Sequence, residues 1–328
     1  MRVAIISLAK VGQQDGPALR ALHARSQPRL HELTENPAEA ELVIFTDLES
    51  GGHYRSLRDN PLPKQRPEDC FTVYHWHEPY GLLPGIYTET PRLRLGAGRY
   101  RAGLYWPPHH TNPLVSPQLP LPAAERPWLF SFLGRDSHPV RKTILRLPQV
   151  WQGKRALIED TGAYDHWKTT GEEREHALKR YIESARDAYF GICPRGLRKP
   201  SIRLFEMMQL GVCPVVLADG YVYPEGPRWG EFCIQIPERD AGRLWEILAD
   251  RETEAVEKGR LAREAWLQWF AEERQFNYVI DRLLAIRARK PHWPEGWLRG
   301  LRWSLRIRFT DTLLRVDHIR EKLARRRA

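Results

Sequence analysis

The chain alternates short apolar segments with segments of helical periodicity. Apolar runs of strand length occur at Val3 to Leu8, Leu42 to Phe45, Phe71 to Trp76, Trp128 to Leu133, Tyr189 to Cys193, Val212 to Leu217 and Phe232 to Ile236. Helical periodicity separates several of these runs, as in His176 to Arg186, Ile202 to Leu210 and Arg243 to Leu248. Strands that alternate with helices predict α/β layers with mostly parallel sheets.

A proline-rich stretch divides the chain into two parts. The sequence from Pro107 to Pro127 carries many prolines and almost no helical pattern, which predicts an extended linker. We therefore predict an N-terminal domain over residues 1–125 and a C-terminal domain over residues 126–290. The second domain ends with long amphipathic helices from about Arg260 onward, and whether the last of them crosses back to the first domain stays open.

Composition narrows the environment of the protein. A chain of 328 residues is long enough for two domains, each with its own core. No apolar segment approaches the roughly eighteen residues of a membrane span, and the first apolar run is too short for a typical signal peptide. The four cysteines form no CxxC pair, which favours reduced, buried thiols. We therefore expect a cytoplasmic protein.

The formal net charge of +10 predicts an anionic partner, and much of this charge lies in a tail at residues 291–328. Apolar residues of the tail fall at helical spacing among arginines, which predicts a basic amphipathic helix. Such a helix suits an anionic membrane surface, here the inner face of a membrane, but its apolar stripe could equally pack on the protein or on a second subunit. Nucleic acid is not expected as the partner, because the charge is concentrated in the tail and no recognised binding motif is present.

Residues 187–220 carry the most specific pattern in the chain. They predict a strand, a glycine-containing turn, a helix and a second buried strand, which together form one βαβ unit. Ser201 is placed to cap the start of the helix, and Gly211 is placed to end it in the left-handed conformation. The helix N-terminus and the basic turn that contains Arg195 and Gly196 form a cradle that fits a diphosphate.

Arg203 and Glu206 are three residues apart and lie on one face of this helix, near its positive end. A guanidinium can bind phosphate oxygens, and a carboxylate can accept hydrogen bonds from both hydroxyls of a ribose. Taken alone, such a pair is more often a surface ion pair than a ligand clamp. Its place within the βαβ unit favours the nucleotide site.

This segment resembles the exostosin family of glycosyltransferases, glycosyltransferase family 47. The shared pattern is Cys193-Pro194-Arg195-Gly196, then Ser201, Arg203 and Glu206, then Gly211, Pro214, Val215 and Asp219. FSFLGR at residues 130–135, the following His138-Pro139-Val140-Arg141 and FCIQIPE at residues 232–238 resemble further parts of the family pattern.

The resemblance implies a GT-B architecture, in which two Rossmann-like domains face each other across a cleft. It also implies that the C-terminal domain binds the nucleotide sugar and that the N-terminal domain binds most of the acceptor. Carried over by motif position, the donor-binding residues are Arg135, Arg195, Gly196, Ser201, Arg203, Glu206 and Asp219. Glu206 would hold the ribose and Arg203 the diphosphate, whereas the role of Arg195 could equally be structural. The sequence departs from the family pattern at Pro224 to Pro227, which leaves the donor sugar open.

We therefore predict an inverting, metal-independent glycosyltransferase. It moves a sugar from a nucleotide sugar, which the resemblance implies to be a UDP-sugar, to a glycan or a lipid-linked glycan. We find no D-x-D motif to hold a metal, and no cofactor is expected besides the nucleotide-sugar co-substrate. A fucosyltransferase-like enzyme that uses another nucleotide sugar, and a noncatalytic nucleotide- or sugar-binding relative, stay open as alternatives.

The general base is expected in the segment VYHWHEPYGLLPG, where His75, His77 and Glu78 leave a strand and enter a loop. His77 or Glu78 could accept the proton of the acceptor. The two alternating histidines could equally be the polar surface of a strand. A zinc site formed by His75, His77, His109 and His110 is a weaker alternative, because the spatial relation of the two pairs is unknown.

Overall fold

The chain forms two compact units. Unit 1 comprises Met1–Gly103 and Glu272–Ala328, and unit 2 comprises Leu104–Ala271. The computed structural model describes residues 1–8, 14–47, 55–74, 82–89, 98–104, 112–164, 169–289 and 301–310, together with positions 312, 313, 315, 316 and 319.

Unit 1 contains a sheet of six strands. In chain order these are β1 (Arg2–Ser7), β2 (Glu32–Leu33), β3 (Leu42–Thr46), β4 (Cys70–Tyr74), β5 (Gly85–Tyr87) and β6 (Tyr100–Ala102). Their order across the sheet is β2-β1-β3-β4-β5-β6, and all neighbours are parallel. The helices of this unit are α1 (Asp15–Arg25), α2 (Arg55–Asp59), α3 (Leu62–Gln65) and α10 (Glu272–Ala288), and residues 301–310 are also helical.

Unit 2 contains a second sheet of six strands. These are β7 (Trp128–Gly134), β8 (Val150–Trp151), β9 (Lys154–Asp160), β10 (Ala188–Pro194), β11 (Cys213–Leu217) and β12 (Ile234–Gln235). Their order is β12-β11-β10-β7-β9-β8, and only β8 is antiparallel to its neighbour. The helices are α4 (Pro139–Leu145), α5 (Gly171–Arg186), α6 (Ile202–Leu210), α7 (Trp229–Phe232), α8 (Leu244–Ala249) and α9 (Ala255–Trp269), with 3-10 turns at Glu238–Arg243 and Glu252–Glu254.

Both sheets have continuous apolar strands because helices cover the two faces of a parallel sheet. Every residue of β3 is buried, as is every residue of β11. In unit 1, Val43 and Phe45 belong to the core, and in unit 2 Phe130, Phe190 and Val215 do. The strands therefore form the centre of each core, and functional side chains are expected at the strand ends.

In each sheet, the chain adds strands first on one side of the first strand and then on its other side, which creates a topological switch point. In unit 1 this switch point lies between β1 and β3, and in unit 2 it lies between β7 and β10. Open parallel sheets bind their ligands beyond the carboxyl ends of the strands at such a point. We therefore expect ligand-binding sites at the two switch points.

The carboxylate of Asp47 occupies the switch point of unit 1. Its Oδ1 accepts hydrogen bonds from the N–H groups of Gln14 (2.7 Å) and Asp15 (2.8 Å), and its Oδ2 accepts one from Gly16 (3.0 Å). Burial pushes the pKa of Asp47 upward, but these backbone hydrogen bonds outweigh burial, and the pKa lies below its ordinary value. The positive end of α1 is therefore neutralised by a side chain of the protein itself.

The predicted fold class is confirmed, since both units are α/β and Rossmann-like with parallel sheets. The four cysteines are buried and free, as predicted. The strand predicted from Phe232 to Ile236 is wrong in its first part. Phe232 ends α7, where its ring packs on Trp229 at 5.3 Å across one helical turn, and only Ile234–Gln235 pair with β11.

The units divide at residues 103 and 271, whereas the sequence predicted boundaries near 125 and 290. The proline-rich stretch belongs to unit 2 because helices of that unit bind its backbone. Arg186 donates to the carbonyl oxygen of Pro120 (3.1 Å), and Arg263 donates to that of Leu119 (2.5 Å).

α10 crosses back to unit 1, where Arg287 forms an ion pair with Asp69 (2.7 Å). In the described part of the chain, no helix combines the length and the apolar character that crossing a bilayer requires.

Replacing Asp47 should destabilise unit 1. Asp47→Ala leaves the N–H groups of Gln14, Asp15 and Gly16 at the start of α1 without their acceptor, and we expect the free energy of unfolding to fall by about 1 to 2 kcal/mol. Because the folded-state pKa is lowered, this contribution is present above the ordinary carboxyl pKa and is lost as the pH falls through the lowered value. Urea denaturation at neutral and acidic pH measures both effects, with Asp47→Asn as the milder control. An unchanged denaturation midpoint in Asp47→Ala at neutral pH contradicts the capping role.

Candidate functional site

The residues predicted to bind the donor lie at the carboxyl edge of the sheet in unit 2. Arg135 follows the end of β7, and Arg195 and Gly196 follow the end of β10, which is the parallel neighbour of β7. Asp219 lies just beyond β11, the next strand. Ser201 stands at the start of α6. The sheet thus gathers the predicted residues around its switch point.

Both ends of α6 have the predicted conformation. Ser201 is extended (φ −125°, ψ 125°), and Gly211 closes the helix in the left-handed region (φ 70°). The Ser201 hydroxyl, however, makes no capping hydrogen bond to the helix. The first N–H groups of a helix have no partner within the helix, so the start of α6 offers donors and a partial positive charge to an anion.

The guanidinium of Arg203 lies across the switch point. Its Nη2 donates to the carbonyl oxygen of Leu133 in β7 (2.5 Å), although Arg203 itself belongs to the helix after β10. Its central carbon lies 5.0 Å from the ring centroid of Phe132 and 5.6 Å from that of Tyr181, so two aromatic faces stabilise the charge. A Cβ at Gly134 would stand 2.7 Å from the Phe132 ring, so this glycine leaves room for the aromatic ring on which the guanidinium lies.

One nitrogen of the Arg203 guanidinium has a hydrogen-bond donor that the described residues do not use. Nη1 of Arg203 is buried and has no hydrogen-bond partner in the described part of unit 2. A buried donor without an acceptor costs about 1 to 3 kcal/mol. An anionic ligand at the switch point would supply that acceptor.

The carboxylate of Glu206 is buried, with only 5% of the residue exposed. Its Oε2 accepts a hydrogen bond from the Tyr181 hydroxyl (2.6 Å), and its Oε1 accepts one from the N–H of Asn112 (3.3 Å). Burial raises the pKa of Glu206, while Tyr181, Arg203 and Asn112 each act to lower it. A carboxylate has about four acceptor positions, so two remain for other donors.

The interpretation of Arg203 and Glu206 as a surface ion pair is wrong. Glu206 is buried, and its hydrogen bonds go to Tyr181 and Asn112, whereas the guanidinium of Arg203 binds the backbone of β7. The two side chains interact electrostatically without direct pairing. They are therefore held separately, each by its own partners, as two parts of one site.

Arg195 and Gly196 shape the turn after β10. Arg195 donates to the carbonyl oxygens of Gly196 and Leu197 (both 3.3 Å) and lies 3.7 Å from a carboxylate oxygen of Glu238. The N–H of Gly196 donates to the carbonyl oxygen of Arg198 (3.1 Å). These bonds favour the structural role for Arg195, which the sequence left as one of two interpretations.

Arg141 holds the same turn from the other side of the switch point. Its Nε and Nη2 donate to the carbonyl oxygens of Arg195 (2.9 Å) and Pro194 (3.2 Å). His138 begins α4, where its Nδ1 accepts the N–H of Val140 (3.3 Å). Burial lowers the pKa of His138, Arg195 and Arg141 lower it further, and Glu238 acts to raise it. The segment from His138 to Arg141, which resembles a further part of the family pattern, thus supports the turn after β10.

Asp219 is tied to the 3-10 turn that follows β12. Its N–H donates to Oε1 of Glu238 (2.8 Å), and its Oδ1 accepts the N–H of Glu238 (3.2 Å). Arg135, in contrast, is an exposed side chain beyond β7. Donor binding by either residue stays a prediction. Cys193, the first residue of the turn motif, is a core residue whose pKa is raised by burial, so its thiol is protonated.

The two candidates for the general base, His77 and Glu78, lie outside the described residues. The same is true of His75, His109 and His110. The predictions of a base and of a histidine metal site therefore stay untested. Among the residues that the structure does describe, no group of three His, Cys, Asp or Glu side chains is placed to hold a metal ion.

Sequence reasoning missed Tyr181 and Asn112 as partners of Glu206. Asn112 belongs to the proline-rich stretch, and its side chain also donates to the carbonyl oxygen of Leu178 in α5 (3.0 Å). Tyr181 lies on α5 one position before the buried Ile182, at a helical position with no distinctive motif. Only the fold brings these two residues to the carboxylate.

Residues 102–250 match the family described as Exostosin GT47 domain, which confirms the resemblance drawn from the motifs. A probable glucuronoxylan glucuronosyltransferase, IRX7, of Arabidopsis thaliana is 35% identical over 89 residues, which are 25% of this chain and 20% of the relative. The Exostosin-1 homolog of Caenorhabditis elegans is 30% identical over 144 residues, 42% of this chain and 33% of the relative. The matches therefore span between a fifth and a third of these relatives.

Among solved structures, an alpha-glucosyltransferase in complex with UDP and a 13-mer DNA aligns with 88% of this chain and 99% of its own length. The TM-score is 0.44 and the sequence identity is 9%.

Removing the charge of Glu206 should stabilise the fold at neutral and higher pH. A carboxyl group with a raised folded-state pKa binds its proton more tightly in the folded chain, so the wild-type protein loses stability as the pH rises above the ordinary value. Glu206→Gln does not titrate. We expect the melting temperature of Glu206→Gln, relative to that of the wild type, to rise as the pH increases from about 4 to about 8.

The control for this measurement is Glu183→Gln, which removes an exposed carboxylate from α5. It should show no comparable gain. A Glu206→Gln variant that loses stability relative to wild type as the pH rises contradicts the assigned environment of Glu206.

Proposed function

We propose that this chain, whose residues 102–250 match the exostosin family of glycosyltransferases, transfers a sugar from a nucleotide sugar to a glycan or a lipid-linked glycan. One observation carries the proposal. The switch point of unit 2 combines the start of α6, a buried guanidinium nitrogen without a partner and a buried carboxylate. The equivalent point of unit 1 is filled by Asp47.

The diphosphate is proposed to bind at the start of α6. When the glycosidic bond to the nucleotide breaks, negative charge develops on the departing diphosphate and must be stabilised. Arg203 and the first N–H groups of α6 supply fixed positive charge, and Arg203 is already held by Leu133 and two aromatic rings. A fixed charge needs no reorganisation during the reaction, which is the condition for efficient electrostatic catalysis.

The ribose is proposed to bind Glu206. Its carboxylate keeps acceptor positions for two hydroxyl groups after the bonds to Tyr181 and Asn112 are counted. Tyr181 and Asn112 then act as positioning residues that fix the direction of those positions. Arg135, exposed beyond β7, is proposed as a further ligand of the diphosphate.

The finer features of the reaction rest on the family resemblance. It implies an inverting, metal-independent transfer with UDP as the nucleotide, and a base from unit 1, for which we propose Glu78 or His77. Relatives that are named glucuronosyltransferases make glucuronic acid one of the donor sugars to test. We also propose that the protein works at the cytoplasmic face of a membrane, where a lipid-linked acceptor would be presented.

Loss of Arg203 should remove most of the activity. A thermal-shift screen of UDP, GDP, CMP and dTDP first identifies the nucleotide, and release of that nucleotide from its sugar conjugates then measures turnover. We expect Arg203→Ala to lower kcat by about 10² to 10³-fold, the usual effect of removing one charge-stabilising donor.

The matched control is Arg180→Ala, which removes an exposed arginine from α5 in the same unit. It should retain wild-type turnover. Near-normal activity in Arg203→Ala contradicts the donor-site assignment. A protein that binds a nucleotide through Arg203 but never turns over its sugar conjugates would instead be the noncatalytic relative.

A further inference from the structure

The helix at residues 301–310, here called the tail helix, packs on unit 1 through one face. Trp303 and Thr310 are each 4% exposed, and Trp303 belongs to the same core cluster as Val43 and Phe45. Ile307 packs against that cluster as well. These positions are spaced by four and three residues and therefore share one side of the helix. The interpretation of the tail as a helix packed on the protein body holds for this face.

The opposite face of the tail helix is apolar and exposed. Leu301, Leu305 and Phe309 follow one another at intervals of four residues, and their exposed fractions are 47%, 56% and 57%. Val316 and Ile319 continue the exposed apolar residues at 41% and 57%. One apolar face of the tail helix thus packs on unit 1, and a second apolar face is exposed.

A groove runs along the edge of this open face. Its described lining residues are Arg99, Arg302, Leu305, Arg306 and Phe309, and its volume is about 270 Å³. Three of these residues carry a guanidinium, and none of the lining residues that the structure describes carries a carboxylate. Leu305 and Phe309 bring the apolar face of the tail helix to the rim of the groove.

Arg99 makes this groove unusual. Its Nε and Nη2 are buried and have no hydrogen-bond partner in the described part of unit 1, although its central carbon lies 5.6 Å from the ring centroid of Tyr100. Burial lowers the pKa of Arg99, Tyr100 and Tyr87 act to raise it, and Arg302 lowers it again by like-charge repulsion. Buried guanidinium donors such as these two nitrogens of Arg99 are costly unless an anion accepts their hydrogen bonds.

We propose that this groove binds the phosphate of an anionic phospholipid headgroup and so docks the open face of the tail helix on a bilayer surface. A guanidinium matches phosphate through two parallel N–H bonds, and Arg99 has two nitrogens to offer. Leu305 and Phe309 line the same groove and would contact the lipid chains attached to that phosphate. The inference deepens the membrane association proposed above, and it is independent of the donor site.

Vesicle cosedimentation of the full chain tests the proposal. The probes are phosphatidylcholine vesicles with and without phosphatidylglycerol, and the protein should bind only the anionic ones. Leu305→Ser combined with Phe309→Ser should weaken the partition by about tenfold or more, because two exposed apolar side chains lose their burial in the interface. Arg306→Gln should weaken it by about fivefold, the contribution of one arginine near an anionic surface.

Arg99→Met separates a lipid site from a structural role. It replaces a buried charge with an apolar chain of similar length, so it should raise the melting temperature without lipid and lower the partition onto anionic vesicles. A lower melting temperature with an unchanged partition overturns the proposal. Leu267→Ser, which alters an exposed leucine of unit 2, is the matched control and should bind as the wild type does.

Two further outcomes overturn the proposal. Equal binding to neutral vesicles removes the phosphate as the ligand. Binding of free glycerol phosphate by a protein whose Leu305→Ser and Phe309→Ser changes leave the vesicle partition intact shows that a free phosphate rather than the bilayer is the occupant. Turnover on a soluble acceptor is measured in parallel, so failure of vesicle binding with intact turnover is distinguished from failure of the glycosyltransferase assignment.

Discussion

The bond between Arg203 and the end of β7 fixes the geometry on which the proposed donor site depends. Arg203 belongs to the helix after β10, yet it donates to Leu133 in the neighbouring strand and lies between Phe132 and Tyr181. The start of α6 is thereby held over the switch point of the sheet. Because the guanidinium is locked, its remaining nitrogen presents a fixed donor, and the charge it provides does not have to be organised when a ligand arrives.

Without the antiparallel β8, the strands of unit 2 follow the same order as the first five strands of unit 1, but the two switch points are occupied differently. In unit 1 the carboxylate of Asp47 neutralises the start of the first helix, which benefits stability and removes an anion site. In unit 2 the equivalent place has a guanidinium nitrogen that finds no partner among the described residues, and a buried carboxylate, and both cost stability. Such costs are typical of functional sites, because the strain persists only where a ligand makes use of it.

The sequence predicts those parts of the site that are local in the chain. The bounds of α6, its left-handed end at Gly211 and the order of strand, turn and helix all follow from neighbouring residues. Contacts between distant segments could not be predicted in this way. Asn112 lies 94 residues from Glu206, and it belongs to a proline-rich stretch that reads as a linker until the fold binds that stretch to unit 2. The same limit applies to Arg195, since its contact with Glu238, 43 residues away in the chain, could not be predicted from neighbouring residues.

A crystal structure with the preferred nucleoside diphosphate would show directly whether the switch point of unit 2 binds the donor. We expect diphosphate density at the start of α6, within hydrogen-bond distance of Nη1 of Arg203, and ribose hydroxyls at the carboxylate of Glu206. A nucleotide bound elsewhere, with Nη1 of Arg203 still unpaired, would contradict it.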